Sequence, residues 1–254
     1  MERVQNKGRL HPMTVAVREV AEIFGRMGFG IAYGPELESE FYNFDALNVP
    51  PDHPSRDMQD TFWIKDAPGK VLRTHTTSVT ARKLEKMAKE GRTEARMIIP
   101  GKVFRNEATD VTHEAQFYQL DGFAVGPPGT VTLAHLKGTL GRFYREYLGE
   151  SAKIRFRPSF FGFTEPSVEV DAWFEAPGKE STWLEMCGAG MLHPNDFSSV
   201  GLDPEKIAGF AFGGGLERVL MVKYGIPDTR LIHSGDIRFV YGFPLREASD
   251  TQTA

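Results

Sequence analysis

The sequence predicts an α+β fold, an antiparallel β-sheet flanked by helices. Three observations carry this. Strand-like segments crowd the middle of the chain, amphipathic helices precede and follow them, and no strand–helix alternation of a parallel, doubly wound sheet occurs.

The first element is a helix over 12–27. Met13, Ala16, Val17, Val20, Phe24 and Met27 recur at three- and four-residue spacings, while Arg18, Glu19, Glu22 and Arg26 take the other face. Pro12 suits an early helical position, and Gly25, Gly28 and Gly30 mark the end. A short strand over 29–33 runs into Gly34-Pro35, a strand end or edge. Residues 38–47 read as a short helix and 48–60 as a Pro- and Asp-rich loop too polar for the core. Segments 61–64 and 70–73 suggest a hairpin around Asp66-Ala67-Pro68-Gly69. A helix with a basic outer face spans 76–90. Strands cover 96–105 and 116–125. Gly126-Pro127-Pro128-Gly129 then breaks the chain before a helix over 132–148. Strands follow at 153–157, 168–174 and 181–187, with a turn at Ala176-Pro177-Gly178. A short helix at 204–208, a glycine-rich strand at 209–215 and a helix at 216–224 complete the pattern, which is expected to form one domain over 1–246. Residues 247–254 are expected to be a disordered tail.

The 254 residues, 41% of them hydrophobic, suffice for one large core. A net charge of −4 carries no overall basic footprint for nucleic acid, so any RNA contact must be local or come from a partner. The single cysteine, Cys187, excludes a disulfide framework or a multi-cysteine zinc site and fits a reducing, cytoplasmic compartment. No apolar run long enough to span a membrane and no secretory leader is found, so no membrane partner is expected.

Chemistry concentrates in a few stretches. Residues 103–121 read as strand, polar loop, strand. Phe117, Gln119 and Asp121 share one strand face, as do Arg105 and Glu107 on the incoming strand. Together they would make a floor for a ligand with phosphates, a base and an ammonium group, or the ordinary cross-strand polar pairs of a hairpin. In Gly209–Gly215, glycines weaken a strand unless something must approach closely, and Arg218 beyond them could reach a phosphate. A glycine-rich turn with a surface arginine reads equally from those residues, which match neither the dinucleotide fingerprint nor the P-loop. Phe161 and Phe163 share a face and suit either an aromatic ligand or plain core. Glu165 beside them is odd for a core and suggests a metal or ammonium partner. Thr74–Ser78 holds hydroxyls and His75 at a helix start, where capping is the simpler use. His193, in a loop before Pro194, can be structural. The seven histidines are scattered without metal-ligand spacing, and no Ser-His-Asp set can be argued.

Together these stretches resemble a class II aminoacyl-tRNA synthetase. Helix 12–27 with its strand resembles motif 1, VFRNE with FYQLDGF resembles motif 2, and GFAFGGGLER resembles motif 3. THTTS, RNEATDVTHEAQFYQLDG, RFRPSFFGFTEP, CGAGMLHPN and GFAFGGGLERVLMVKYGIPD are similar to the catalytic domain of the bacterial phenylalanyl-tRNA synthetase α subunit, from about His11 to Phe243. The resemblance implies the class II fold, with 1–246 as catalytic domain. It also implies activation of L-phenylalanine with ATP to phenylalanyl-adenylate and transfer to tRNA(Phe). A synthetase-like paralogue using another amino acid or a non-tRNA acceptor is the alternative, and a non-catalytic subunit the third. Arg105 would hold the α-phosphate, Glu107 the adenine amino group, Phe117 the adenine ring and Arg218 the γ-phosphate, with His113 near the phosphates. Gln119 and Asp121 would hold the substrate's amino group with His75 and Thr77. Phe161 and Phe163 would stack on its ring, and Ala189 and Ala211 would line the floor. Glu165 would bind Mg2+ shared with a β subunit. Implied partners are that β subunit, or a second copy through motif 1, and the tRNA(Phe) acceptor end. The family's coiled-coil arm and an anticodon-binding domain are expected to be lacking. Thr77 and Ser78 stand where relatives carry serine and then proline or glycine, and Thr80 replaces a glutamine. Tyr118, Asp121 and Gly162 replace histidine, glutamate and proline.

Overall fold

The computed structural model describes residues 8–57, 60–106, 114–175 and 180–243. In chain order the elements are α1 (Pro12–Arg26), β1 (Gly30–Ile31), β2 (Leu37–Ser39), α2 (Glu40–Asn43), β3 (Lys70–Leu72), α3 (Thr77–Glu90), β4 (Ala95–Phe104) and β5 (Gln116–Gly126). They continue with α4 (Leu133–Leu148), β6 (Ile154–Phe161), β7 (Thr164–Phe174), β8 (Thr182–Leu192), α5 (Pro194–Ser199), β9 (Ala208–Gly215), α6 (Leu216–Tyr224), α7 (Arg230–His233) and α8 (Ile237–Gly242). One seven-stranded sheet runs in the order β1-β4-β5-β9-β8-β7-β6. Every pairing in it is antiparallel except β1 with β4, so the sheet is mixed at that edge.

The two sheet faces are used differently. On one, α1, α4 and α6 pack against Leu120, Ala124, Phe210 and Phe212. His11 caps α1 by accepting from the Met13 N–H through Nδ1 at 3.1 Å, with Pro12 in the first turn. Phe24 on its inner face lies against Phe29, Phe143 and Phe212 at centroid distances of 5.3, 4.8 and 5.4 Å. Burial of such a ring is worth about 2–3 kcal/mol. On the other face, α3, α5 and the turn at Asp45–Leu47 cover one end of the sheet around Ile99, Phe123 and Ala211. The remainder of that face is open, and the site lies there. Helices therefore lie on both sides of the sheet.

Several local expectations are corrected. The segment 38–47 is split between β2, α2 and a 3-10 turn at Asp45–Leu47. Its strand part pairs with β3, whose other edge meets 61–64 antiparallel at the Trp63–Val71 bridge, in keeping with the expected hairpin. The register pairs Glu38 with Val71, and Glu38 is fully buried under a two-pronged Arg82 contact. The expected helix at 204–208 is a turn, and the helix falls at α5 instead, where His193 Nδ1 caps the Asn195 N–H. The loop 48–60 carries a buried residue after all. Arg56 pairs with Glu40 and Asp45, donates to the Val49 carbonyl and lies on the Phe44 ring. Glu19, expected outward, is buried and paired with Lys223 at 2.6 Å. The strand at 29–33 shortens to Gly30–Ile31, whereas β6, β7 and β8 run longer than expected and bring Phe161, Glu165 and Gly188–Leu192 into the sheet. The turn at 176–178 and the tail at 247–254 lie outside the described residues.

Asp196 of α5 is an unexplained cost. Both its oxygens are buried without a partner, and burial pushes its carboxyl up to about 8. That rise favours the neutral form, which avoids a buried charge. No described helix is long and apolar enough to cross a membrane.

Candidate active site

The strand β5 builds the centre. It pairs with β4 on one side and β9 on the other, setting Gln119 opposite Gly215 and Asp121 opposite Gly213. Period two puts Phe117, Gln119 and Asp121 on the open face and turns Tyr118 and Leu120 into the helix side. The glycines leave room for their neighbours. A Cβ at Gly213 would lie 2.3 Å from Asp121 Oδ1, and one at Gly188 would lie 2.7 Å from the Phe161 ring. A side chain on either strand would therefore displace a wall of the site.

A cavity of about 430 Å³ opens over these strands. His75, Thr77, Arg105, Phe117, Gln119, Asp121, Phe161, Phe163, Ala189, Ala211 and Arg218 all line it, so residues drawn from seven separate stretches meet there. Glu107 and His113 lie outside the described residues. Glu165 does not line it. Its side chain is 77% exposed on an adjoining groove, 3.7 Å from His193 Nε2.

Asp121 is the most distinctive group. It is buried, with Oδ2 accepting from the Thr77 hydroxyl and Oδ1 left without a partner. Burial pushes its carboxyl up to about 6, with the hydrogen bond from the Thr77 hydroxyl opposing that rise. An uncommitted, buried carboxylate oxygen on a cavity wall is matched by a ligand cation that can donate to it. Gln119 Oε1 already accepts from the Thr76 N–H at 3.2 Å, so it is the weaker acceptor of the two. His75 has a buried Nδ1 without a partner; burial first, then the Arg105 charge, pushes its ring down to about 4. Its neutral ring does not repel a cationic ligand at pH 7.

Arg105 Nε donates to the Thr74 carbonyl at 3.2 Å, and its guanidinium lies 5.2 Å from the Phe117 ring centre. Arg218 Nη1 donates to the Glu185 carbonyl at 2.9 Å, at the first turn of α6. Both guanidinium forks line the cavity with the Phe117 ring, a set of groups that suits phosphates and an aromatic base. At the other end Phe161 and Phe163 stack with centroids 6.0 Å apart and planes 17° from parallel. Ala211 pairs with Phe123 and Gly190 on the open face. Ala189 differs from Ala211. It pairs with Phe212, so its methyl belongs to the helix-side core although its residue borders the cavity. Gly188 and Gly190, its neighbours, take the floor position instead.

A model of the class II tRNA synthetase core domain (F) matches residues 1–243. The chain belongs to this family. Among its curated relatives, the phenylalanine–tRNA ligase alpha subunit of Syntrophomonas wolfei is 48% identical over 94% of this chain and 70% of its own length. Proteins of the same name from Geobacter metallireducens and Desulforudis audaxviator are 49% and 51% identical, each over 93% of this chain and 69% of their own length. The seven-stranded sheet with its flanking helices is the class II core of this chain, and β5 and β9 with α6 supply the open face on which its cavity lies.

Glu217, Glu185 and Glu114 also line the cavity of this class II core, and sequence reasoning did not single them out. Glu217 is buried. Its Oε1 accepts from the Tyr118 N–H at 2.7 Å and meets His233 Nε2 at 3.0 Å, which raises the His233 pKa. It fastens the first turn of α6 to the start of β5, and so sets Arg218 relative to Phe117. Its position directly before Arg218 was the available signal.

Proposed function

We propose that the chain activates L-phenylalanine with ATP and transfers it to the 3′ end of tRNA(Phe), as the catalytic domain (1–246) of a phenylalanine–tRNA ligase. The observation that carries this is the Asp121 oxygen, buried without a partner in a cavity that Phe161, Phe163, Arg105 and Arg218 also line. Activation of an amino acid with an aromatic side chain needs those three features in one cavity: ring pocket, ammonium acceptor and phosphate clamp. The names of the relatives favour phenylalanine over another amino acid.

In this reading the substrate ring lies against Phe161 and Phe163 above Ala211. Its ammonium binds Asp121, held by Thr77, with Gln119 as second acceptor. Adenine rests on Phe117, and Arg105 and Arg218 take the α- and γ-phosphates; Glu107 and His113 keep the adenine and phosphate roles implied by the family resemblance. A carboxylate oxygen of phenylalanine attacks the α-phosphorus, the bond from that phosphorus to the β-phosphate bridge breaks, and pyrophosphate leaves. No protein nucleophile is needed, so positioning and charge stabilisation carry the rate. For Mg2+, Glu165 and His193 alone are too few, and no group of three His, Cys, Asp or Glu side chains forms a metal site among the described residues. Glu165 would be one ligand of a site completed by a β-type partner, and the enzyme would work in the cytoplasm.

Ala211→Gly tests the ring pocket. It removes a methyl from the floor, and the variant is expected to activate para-chlorophenylalanine at a rate approaching that for phenylalanine, measured by ATP–pyrophosphate exchange. One methyl in an apolar pocket is worth about 10–200-fold in discrimination. An unchanged substrate range would place the ring elsewhere.

A further inference from the structure

Asn48 is the one non-glycine residue with positive φ among the described residues, at φ 55° and ψ 29°. Asparagine tolerates this left-handed conformation better than most residues, but such an outlier asks what the backbone is held there to do. Its side chain supplies an answer. Asn48 Nδ2 donates to the Gly162 carbonyl at 2.7 Å, and Asn48 Oδ1 accepts from Asn195 Nδ2 at 2.9 Å. Gly162 is the residue between Phe161 and Phe163. The left-handed turn after Leu47 thus aims one amide at the β6–β7 hairpin and anchors it on α5.

Other hydrogen bonds hold the hairpin as well. The His193 N–H donates to the Phe163 carbonyl at 3.1 Å, and the Phe161 N–H donates to Ser167 Oγ at 3.2 Å. Asn48 reaches the tip between the two rings. Glycine at 162 leaves that tip freer in the chain's own backbone terms, and a hydrogen bond to its carbonyl restores the restraint. We infer that Asn48 is a positioning residue for the aromatic pocket: through the Gly162 carbonyl it sets the spacing and tilt of Phe161 and Phe163, and with them the affinity for the substrate ring. This rests on the reading that those two rings hold the amino acid.

The test is ATP–pyrophosphate exchange with the assembled enzyme, varying phenylalanine and ATP in turn. Asn48→Gly keeps the left-handed backbone and deletes the amide. Asn48→Asp keeps the acceptor toward Asn195 and sets an oxygen against the Gly162 carbonyl. Both are expected to raise KM for phenylalanine about tenfold, the value of one hydrogen bond of about 1.4 kcal/mol. KM for ATP and kcat should stay within about twofold. Asn195→Ala should give a smaller rise in the same constant only. An unchanged phenylalanine KM in both Asn48 variants, or an equal rise in both substrates' KM, overturns the inference. Failure of both variants to fold also overturns it, by making Asn48 a folding residue. Phe163→Ala in parallel separates the two levels. If it raises the phenylalanine KM and the Asn48 variants do not, the clamp fails alone; if it too has no effect, the ring-pocket reading fails.

Discussion

Arg105→Ala is expected to lower kcat/KM in amino-acid-dependent ATP–pyrophosphate exchange by about 10³-fold while leaving the fold intact. Removing a preorganised charge aimed at developing phosphate charge costs about 10²–10³ in rate. Arg105 also faces the Phe117 ring, so in the proposed reading the variant loses a contact beside the adenine position as well as a phosphate ligand. Its side chain lies at the cavity, outside both apolar cores, so far-ultraviolet circular dichroism and the melting temperature should stay near those of the parent. Near-normal exchange in this variant would remove Arg105 from the chemistry.

Asp121→Asn is expected to raise KM for phenylalanine by about a hundredfold or more, with KM for ATP little changed. Breaking one side of a buried ionic pair costs about 3–5 kcal/mol. Two pH effects accompany it. In the parent, burial holds the carboxyl proton up to about pH 6, so kcat/KM for phenylalanine should fall as pH drops through that value. The stability effect has the opposite sense. A carboxyl whose folded pKa exceeds its ordinary value of 3.8 destabilises the folded chain progressively from about pH 4 to about pH 6 and by a constant amount above. The asparagine variant carries no such penalty. It should melt at higher temperature than the parent at pH 7, and the difference should vanish as pH approaches 4. Equal melting at pH 7 together with an unchanged phenylalanine KM would contradict the assigned role.

The local part of this site was legible in the sequence. Alternation alone puts Phe117, Gln119 and Asp121 on one face of β5, and three glycines after Phe212 announce a strand that something must approach. Sequence spacing also joins Phe161 to Phe163. What alternation cannot supply is the register between distant strands. Ala189 and Ala211 look alike as small residues in glycine-rich stretches, yet pairing of Ala189 with Phe212 turns its methyl to the opposite face. Asn48 is 114 residues from Gly162, and nothing in a polar Pro-rich loop marks it as their link. Glu19 and Arg56 read as surface charges because their partners, Lys223 and the Glu40–Asp45 pair, are set by tertiary packing. The short helix expected at 204–208 fails for a related reason. Ala208 there opens β9 and Ile207 just before it packs into the core, while the capping signal at His193-Pro194 starts a helix earlier in the chain.

In the proposed reading one cavity binds ATP through its arginines and phenylalanine through its aromatic pair and Asp121. ATP–pyrophosphate exchange of the assembled parent enzyme against the twenty amino acids tests it most directly. Exchange driven by phenylalanine, with tyrosine weaker by about a hundredfold and the others at background, is the predicted result. Exchange driven best by another amino acid, or by none in a folded and assembled enzyme, would contradict it.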